Sequence, residues 1–314
     1  MKESFRLGRI AGIPVGVNWT IGLIAILLVS ALAGTVLPLA APGLTTTAYV
    51  TVGVAVAVGF FGSILAHELG HSIVAIRRGI PVDGITLWLL GGVARLRREP
   101  TDARTELMVA AAGPATSVLL AVGFGVVAIG LDRAGFGLSA AAVGWLASIN
   151  IILAVFNLVP AAPLDGGRIL AGVLWLAHGD RDRAKWTATS AGRGLGVLMV
   201  VGSVWALWAD AGVGLWPLLL GMFILSAANG ERAVIEARRR LDGLMVRDVM
   251  SPLPFPMAVS SMSRTVRADA LVSDVLAGLD RDDVLVLDDD GRVIGSFGIA
   301  ELARLPHTGP RTRA

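Results

Sequence analysis

Residues 10–66 contain no aspartate, glutamate, lysine or arginine, and the sequence HELGH follows directly at residues 67–71. About 20 apolar residues cross the hydrocarbon core of a bilayer, so this stretch predicts membrane-spanning helices. On a helix, HExxH places two imidazoles on one face with a carboxylate between them, the ligand pair and general base of a zinc hydrolase. The alternative is a helix whose histidines satisfy backbone carbonyls, but ionisable residues inside a membrane are costly and generally functional. The sequence therefore predicts hydrolytic chemistry within the membrane, centred on His67, Glu68 and His71.

The whole chain has the composition of an integral membrane protein. Of its 314 residues, 54% are hydrophobic and 16% are charged, a balance that excludes an ordinary soluble domain. It has no cysteine, so a metal would be held by histidine and carboxylate side chains. The sequence pI of about 10.1 is typical of nucleic-acid binding, but the cations cluster in short loops between apolar segments, so no nucleic-acid partner is expected. The first apolar run is too long for a cleavable signal peptide.

Six membrane-spanning helices are predicted, which makes the fold class a polytopic α-helical membrane protein. Their predicted ranges are 17–37, 48–76, 106–131, 139–158, 194–209 and 215–233. With six crossings, Arg133 is the only lysine or arginine that falls on the far side of the bilayer. Because lysine and arginine are retained in the cytoplasm, we expect a multi-pass protein of the cell membrane with both termini cytoplasmic.

A segment with β character lies between the second and third predicted helices. Residues 80–98 alternate loosely between apolar and polar side chains and contain Gly91-Gly92. They predict a hairpin, or a re-entrant strand pair, at the cytoplasmic membrane surface, and the alternative is a plain loop. An exposed strand edge there could accept an extended peptide by strand addition.

The composition becomes polar and rich in aspartate after Arg240. We therefore divide the chain into a membrane domain at 1–241, a small cytoplasmic α/β domain at 242–305 and a disordered tail at 306–314. Within the second domain, DDVLVLDDDGRVIGSFGIAEL predicts a strand, an Asp-Gly turn, a strand and a helix. The aspartate run in that turn is interpreted as solvated rather than as a metal site.

A catalytic zinc site needs a third protein ligand, and the sequence offers Asp165. The two remaining histidines lie in a charged loop and in the tail. Asp165 lies in FNLVPAAPLDGGRIL, residues 156–170, where Pro160 and Pro163 must break the fourth helix near its cytoplasmic end. Irregular backbone at membrane depth must be buried in protein or line a wet cavity, so the two motifs can meet at one depth. The alternative is that Asp165 caps the following helix, with Arg168 as its partner.

Together, HELGH and NLVPAAPLDGG resemble the motifs of the site-2 protease family, which are intramembrane zinc metalloproteases. Three further stretches are similar to that family: GIPVGVNWT at 12–20, LLGGVARL at 89–96 and AAAGPATS at 110–117, the last resembling a Gly-Pro motif that opens the third helix. The chain departs from the resemblance at Ser117, where many members carry asparagine. That departure would alter a polar contact without touching the metal.

The resemblance implies a role for each motif residue. His67, His71 and Asp165 bind one zinc ion, and Glu68 takes the proton of the zinc-bound water and passes it to the leaving amine. Asn157 donates to the oxyanion or holds the substrate backbone, and the alternative for it is an interhelical hydrogen bond. The implied substrates are transmembrane segments of other proteins in the lipid bilayer. The implied process is regulated intramembrane proteolysis, for example of an anti-sigma factor or a membrane-tethered regulator.

The C-terminal domain resembles a CBS domain in VRDVMSP at 246–252 and in the stretch 288–302. CBS modules usually work in pairs that often bind adenine nucleotides, and only one fits into this chain. The resemblance therefore implies a homodimer that completes the pair, with an adenine nucleotide as a weaker expectation.

Two other functions are compatible with part of the sequence. A CBS-regulated transporter or channel would also have broken helices and intramembrane acids. Such a protein would spread polar groups along a path, whereas here they concentrate at the HELGH and LDG motifs. A catalytically inactive scaffold of the same fold would not need Glu68, which is intact.

Overall fold

The computed structural model describes residues 3–89, 91–209, 215–241, 244–257, 265–272, 275 and 284–298. The chain forms two compact units, Met1–Asn229 and Gly230–Ala314. The division falls inside a helix that runs from Trp216 to Leu241, earlier than the domain boundary predicted after residue 241.

Among the described residues, six helices are long and apolar enough to cross a membrane, which confirms the predicted fold class. The helices of the first unit are α1 (Thr20–Ala31), which continues through a π-helical turn at Leu32–Val36 into α2 (Leu37–Ala40), α3 (Thr46–Arg77), α4 (Ala103–Arg133), α5 (Gly137–Asn157), the shorter α6 (Asp165–His178) and α7 (Arg181–Trp208). Helix α8 (Trp216–Leu241) begins in the first unit and ends in the second. Many large apolar side chains on these helices are exposed, Leu119 and Leu198 among them. Such surfaces are stable against lipid and not against water.

The fifth span differs most from its prediction. Hydropathy predicted a helix over 194–209, whereas α7 begins at Arg181. Asp180 is its N-cap and accepts a hydrogen bond of 2.9 Å from the backbone N–H of Arg183. The early turns of α7 carry charged side chains, so a test for apolar residues alone overlooks them.

A four-stranded sheet accompanies the membrane helices. Its strands are β1 (Phe5–Ile10), β2 (Ile13–Val17), β3 (Val82–Trp88) and β4 (Gly91–Leu96), in the order β1-β2-β3-β4. The β3 and β4 strands pair antiparallel, which confirms the hairpin predicted within 80–98 and makes the loop alternative wrong. The β2 strand pairs with β3 in parallel, and β1 with β2 antiparallel. We did not predict β1 and β2, because the apolar residues of β2 run on into the first helix.

The sheet is anchored to the membrane helices by its apolar face. Ile13, Ile85 and Leu87 are almost completely buried and pack against side chains of α1 and α3, including Leu65 and Leu69. These two leucines flank the first residues of HELGH, so the sheet is fixed beside that motif.

The second unit contains a small sheet and a helical turn. Its described elements are α9 (Val246–Val249), β5 (Ser251–Met257), β6 (Thr265–Arg267), β7 (Val284–Leu287) and β8 (Val293–Phe297), with the strand order β5-β8-β7-β6. The β7 and β8 strands are antiparallel, and Gly291 in the turn between them has φ +76°, as the predicted Asp-Gly turn requires. The helix predicted after β8 and the predicted tail at 306–314 lie outside the described residues. The resemblance to a CBS domain stays a prediction.

Candidate metal centre

Three buried side chains bring one potential ligand atom each to a single point. Asp165 Oδ2 lies 3.1 Å from His67 Nε2 and 3.2 Å from His71 Nε2, and the two Nε2 atoms are 3.2 Å apart. All three residues are at least nine-tenths buried. Ligand atoms bonded to a tetrahedral zinc at about 2.05 Å lie about 3.3 Å from one another. The observed triangle is therefore the size that three zinc ligands require.

Helix α3 supplies two corners of this triangle. His67 and His71 are four residues apart, so both rings leave the same face of the helix, as the motif predicted. Each ring is also held at its other nitrogen by helix α4. His71 Nδ1 lies 2.7 Å from the carbonyl oxygen of Val109, and His67 Nδ1 lies 2.9 Å from Ser117 Oγ. These contacts turn the two Nε2 atoms towards each other.

Helix α4 leaves room for an ion at the same point. A Cβ atom added to Gly113 would lie 2.6 Å from His67 Nε2 and closer still to His71 Nε2. Ordinary van der Waals contact of a carbon atom begins at 3.4 Å, so any side chain at this position would collide with both rings. The absence of a side chain at Gly113 therefore keeps the space beside the two Nε2 atoms open. The neighbouring Pro114 lies inside α4 and not at its opening, where the resemblance had placed the Gly-Pro motif.

Asp165 reaches the histidines because the backbone breaks after Asn157 and restarts as α6. The loop between α5 and α6 contains Pro160 and Pro163, which confirms the predicted break. The N–H of Ala162 in this loop donates to the carbonyl oxygen of Ala188 in α7 at 3.1 Å. A Cβ at Gly167 would meet the backbone of Ala162 below any real contact distance, so the LDGG glycines allow the close approach that was predicted for them.

The helix-cap alternative for Asp165 does not describe the structure. Helix α6 begins at Asp165 itself, and the N-cap residue, Leu164, makes no side-chain cap hydrogen bond. Arg168, the expected partner in that alternative, donates instead to Glu106 Oε1 at 2.9 Å. Glu106 is 5% exposed, whereas 30% of the Arg168 side chain is exposed, so a partly buried ion pair joins α4 to α6. No local pattern predicts this pair, because its members are 62 residues apart in the sequence.

Glu68 is half-buried on α3 next to the cluster and faces strand β4. A Cβ at Gly92 would overlap the Glu68 side chain, so the absence of a side chain at Gly92 is what lets the strand pass so close to that carboxylate. The carboxylate of Glu68 is not one of the three convergent ligand groups. It therefore remains available for proton transfer.

The other predicted residues take different positions. Asn157 Nδ2 donates to the carbonyl oxygen of Leu153 at 3.0 Å, so its hydrogen bond is within α5 and not between helices. A catalytic role for Asn157 stays a prediction. His178 is exposed and bonds to the carbonyl oxygen of Leu174, and His307 lies outside the described residues.

Fold and site together define a class: a polytopic membrane protein whose helices enclose a His-His-Asp cluster fit for a metal. The sequence pattern of peptidase family M50 matches residues 55–135 and 126–201, a region that includes all three residues of the cluster. The provisionally named zinc metalloprotease Rip3 of Mycobacterium tuberculosis is 36% identical over 306 residues, which cover 96% of this chain and 76% of that protein. The chain belongs to peptidase family M50.

Two further comparisons found proteins at lower identity. Zinc metalloprotease MJ0392 of Methanocaldococcus jannaschii is 28% identical over 256 residues, which cover 81% of this chain and 68% of that protein. Among solved structures, the site-2 protease from Methanocaldococcus jannaschii matches with a TM-score of 0.49 at 26% identity, over 72% of this chain and 94% of that chain.

Family membership confirms the predicted enzyme class, a zinc metalloprotease of the site-2 type embedded in the membrane. It implies zinc as the metal and membrane proteins as substrates, and it favours the protease prediction over the transporter or channel.

Proposed function

We propose that the protein cuts transmembrane segments of other membrane proteins, with His67, His71 and Asp165 holding one zinc ion and Glu68 acting as general base. The observation that carries the proposal is the convergence of three buried ligand atoms, 3.1–3.2 Å apart, on the space above Gly113. Three protein ligands leave one position of a tetrahedral site for the reaction, as catalytic zinc sites do. Zinc, when bound, supplies a Lewis acid for the peptide carbonyl and a water of lowered pKa.

Glu68 is the group that moves the proton. It follows His67 directly on α3, and its side chain is free of the ligand triangle. As the water oxygen bonds to the scissile carbonyl carbon, Glu68 accepts the proton of that water. It then delivers the proton to the peptide nitrogen as the carbon–nitrogen bond breaks, so the products are a carboxylic acid, which keeps the second proton of the water, and an amine.

Strand β4 is the proposed docking edge for the substrate. A peptide inside a helix has its carbonyls hydrogen-bonded, so a substrate must become extended before it is cut. In the described sheet β4 pairs with β3 on one side and is the last strand on the other. A substrate strand added to that edge would form hydrogen bonds between its backbone and the backbone of β4, whatever its side chains. Because Gly92 of β4 packs against Glu68, such a strand would pass the general base.

Charge placement supports an orientation for the site. In the order of the sequence, six crossings assign every lysine and arginine except Arg133 to the side of both termini, and by the positive-inside rule we propose that this side is cytoplasmic. HELGH lies near the C-terminal end of α3, which ends at Arg77 on that side. Cleavage near the cytoplasmic face would release a cytoplasmic fragment. Membrane-tethered regulators, such as anti-sigma factors, are therefore the proposed substrates.

The test is a comparison of membrane proteomes from cells that produce the wild-type protein or Glu68→Gln. We expect the variant to accumulate a truncated precursor whose transmembrane segment is intact, because the wild-type protein cuts that segment and Glu68→Gln does not. Glu236→Gln is the matched control, because it makes the same chemical change at an exposed residue of α8. Cells with this variant should process the substrate normally. Identical proteomes from wild type and Glu68→Gln would contradict the proposed function.

A further inference from the structure

Three residues of α4, spaced four apart, lie along the metal cluster. Val109, Gly113 and Ser117 are each one helical turn apart. Val109 contacts His71, Gly113 lies under the two Nε2 atoms, and Ser117 contacts His67. The two rings are thus spread apart at Nδ1 and brought together at Nε2, over the glycine between their partners.

The two Nδ1 partners differ in chemistry. The carbonyl oxygen of Val109 can only accept, so His71 Nδ1 carries a proton and its Nε2 is left with a lone pair. Ser117 Oγ can accept or donate, so the tautomer of His67 depends on which of these it does. If the serine donated, the proton of His67 would sit on Nε2, facing Asp165 Oδ2, and that nitrogen could not bind a metal.

We propose that Ser117 is a positioning residue that accepts a hydrogen bond from His67 Nδ1 and so keeps His67 Nε2 free for the metal. The inference rests on the proposed role of His67 as a ligand. Ser117 is fully buried, so no water competes for this bond. Partners of this kind fix ring orientation and tautomer, and their loss typically lowers metal affinity by about 10–100-fold.

The test measures zinc affinity of the full-length protein by chelator competition, with the absorption spectrum of Co²⁺ as a second readout. Ser117→Ala removes the acceptor and should lower zinc affinity by about 10–100-fold and change the Co²⁺ ligand-field bands. Ser117→Thr keeps the hydroxyl and should bind zinc within a few-fold of wild type. Ser203→Ala is the matched control, because Ser203 is also buried in a membrane helix, where it donates to the carbonyl oxygen of Met199. It should leave both readouts unchanged.

The possible outcomes distinguish the role of Ser117 from the proposed zinc ligands on which it depends. Wild-type affinity and an unchanged Co²⁺ spectrum in Ser117→Ala would overturn the positioning role while leaving the ligand set intact. Equal losses in Ser117→Ala and Ser117→Thr would also overturn it, because the hydroxyl would then not be the relevant group. A wild-type protein that bound no zinc would overturn the ligand set and this inference together.

Discussion

Replacing Gly113 with alanine should empty the metal site without removing any ligand. The added methyl carbon would lie 2.6 Å from His67 Nε2, and closer to His71 Nε2. Ordinary van der Waals contact begins at 3.4 Å, so the His67 ring would have to withdraw by about 0.8 Å and the His71 ring further. Zinc–ligand distances tolerate changes of about 0.2 Å, so the rings could not move that far and still share one ion.

The expected size of the effect follows from this geometry. Moving two of three protein ligands out of range should lower zinc affinity by more than the roughly 10–100-fold that follows loss of a supporting hydrogen bond. Overpacking should also destabilise the fold by about 1–3 kcal/mol, partly offset by the better helix propensity of alanine, worth about 1 kcal/mol. Metal binding should therefore be lost to a far greater extent than folding.

The assay is metal content of purified protein by mass spectrometry, followed by chelator competition. Gly123→Ala is the matched control, because Gly123 is in the same helix and a Cβ there would meet no atom within 4 Å. It should hold one zinc per chain. If Gly113→Ala bound zinc as tightly as Gly123→Ala, the ion could not lie where the two Nε2 atoms converge and the proposed site would be refuted.

Three further predictions concern the surroundings of the site. Asp165→Asn should weaken zinc binding at least 10-fold in the same competition assay, and unchanged metal content would remove Asp165 from the ligand set. Arg168→Ala should lower the free energy of unfolding by about 3 kcal/mol, because it leaves the buried Glu106 without this partner. The double variant Arg168→Ala, Glu106→Gln should lose less, and an undiminished Tm in the single variant would contradict this. Asp102 is the N-cap of α4, and hydrogen bonds from Thr105 hold the pKa of its carboxyl group below the ordinary 3.8. The ionised carboxylate therefore stabilises the fold at neutral pH, and this stabilisation is lost as the pH falls below about 4. Asp102→Ala should therefore lower Tm at pH 7 by a margin that narrows in acid, and a margin independent of pH would contradict that cause.

The sequence predicted those parts of the site that depend on local spacing or on apolar runs. The two histidines share a face because four residues make about one turn, and Asp165 follows a break that two prolines enforce. The contacts that α4 makes through Gly113 and Ser117 depend on how the helices pack, and the resemblance of AAAGPATS to a family motif did not predict what either residue contacts. In the fold, the six spans were predictable from hydropathy. The strands β1 and β2 were not, because β2 pairs with a strand about 70 residues away and β1 joins the sheet only through β2.

The most direct test of the account combines metal content and cleavage in purified Glu68→Gln, reconstituted in lipid with a transmembrane substrate. Because Glu68 moves a proton and does not hold the ion, the variant should carry one zinc per chain, as the wild type does, and cut no substrate. Cleavage by Glu68→Gln at the wild-type rate would contradict the general-base role. Loss of zinc from Glu68→Gln would contradict the ligand set of His67, His71 and Asp165.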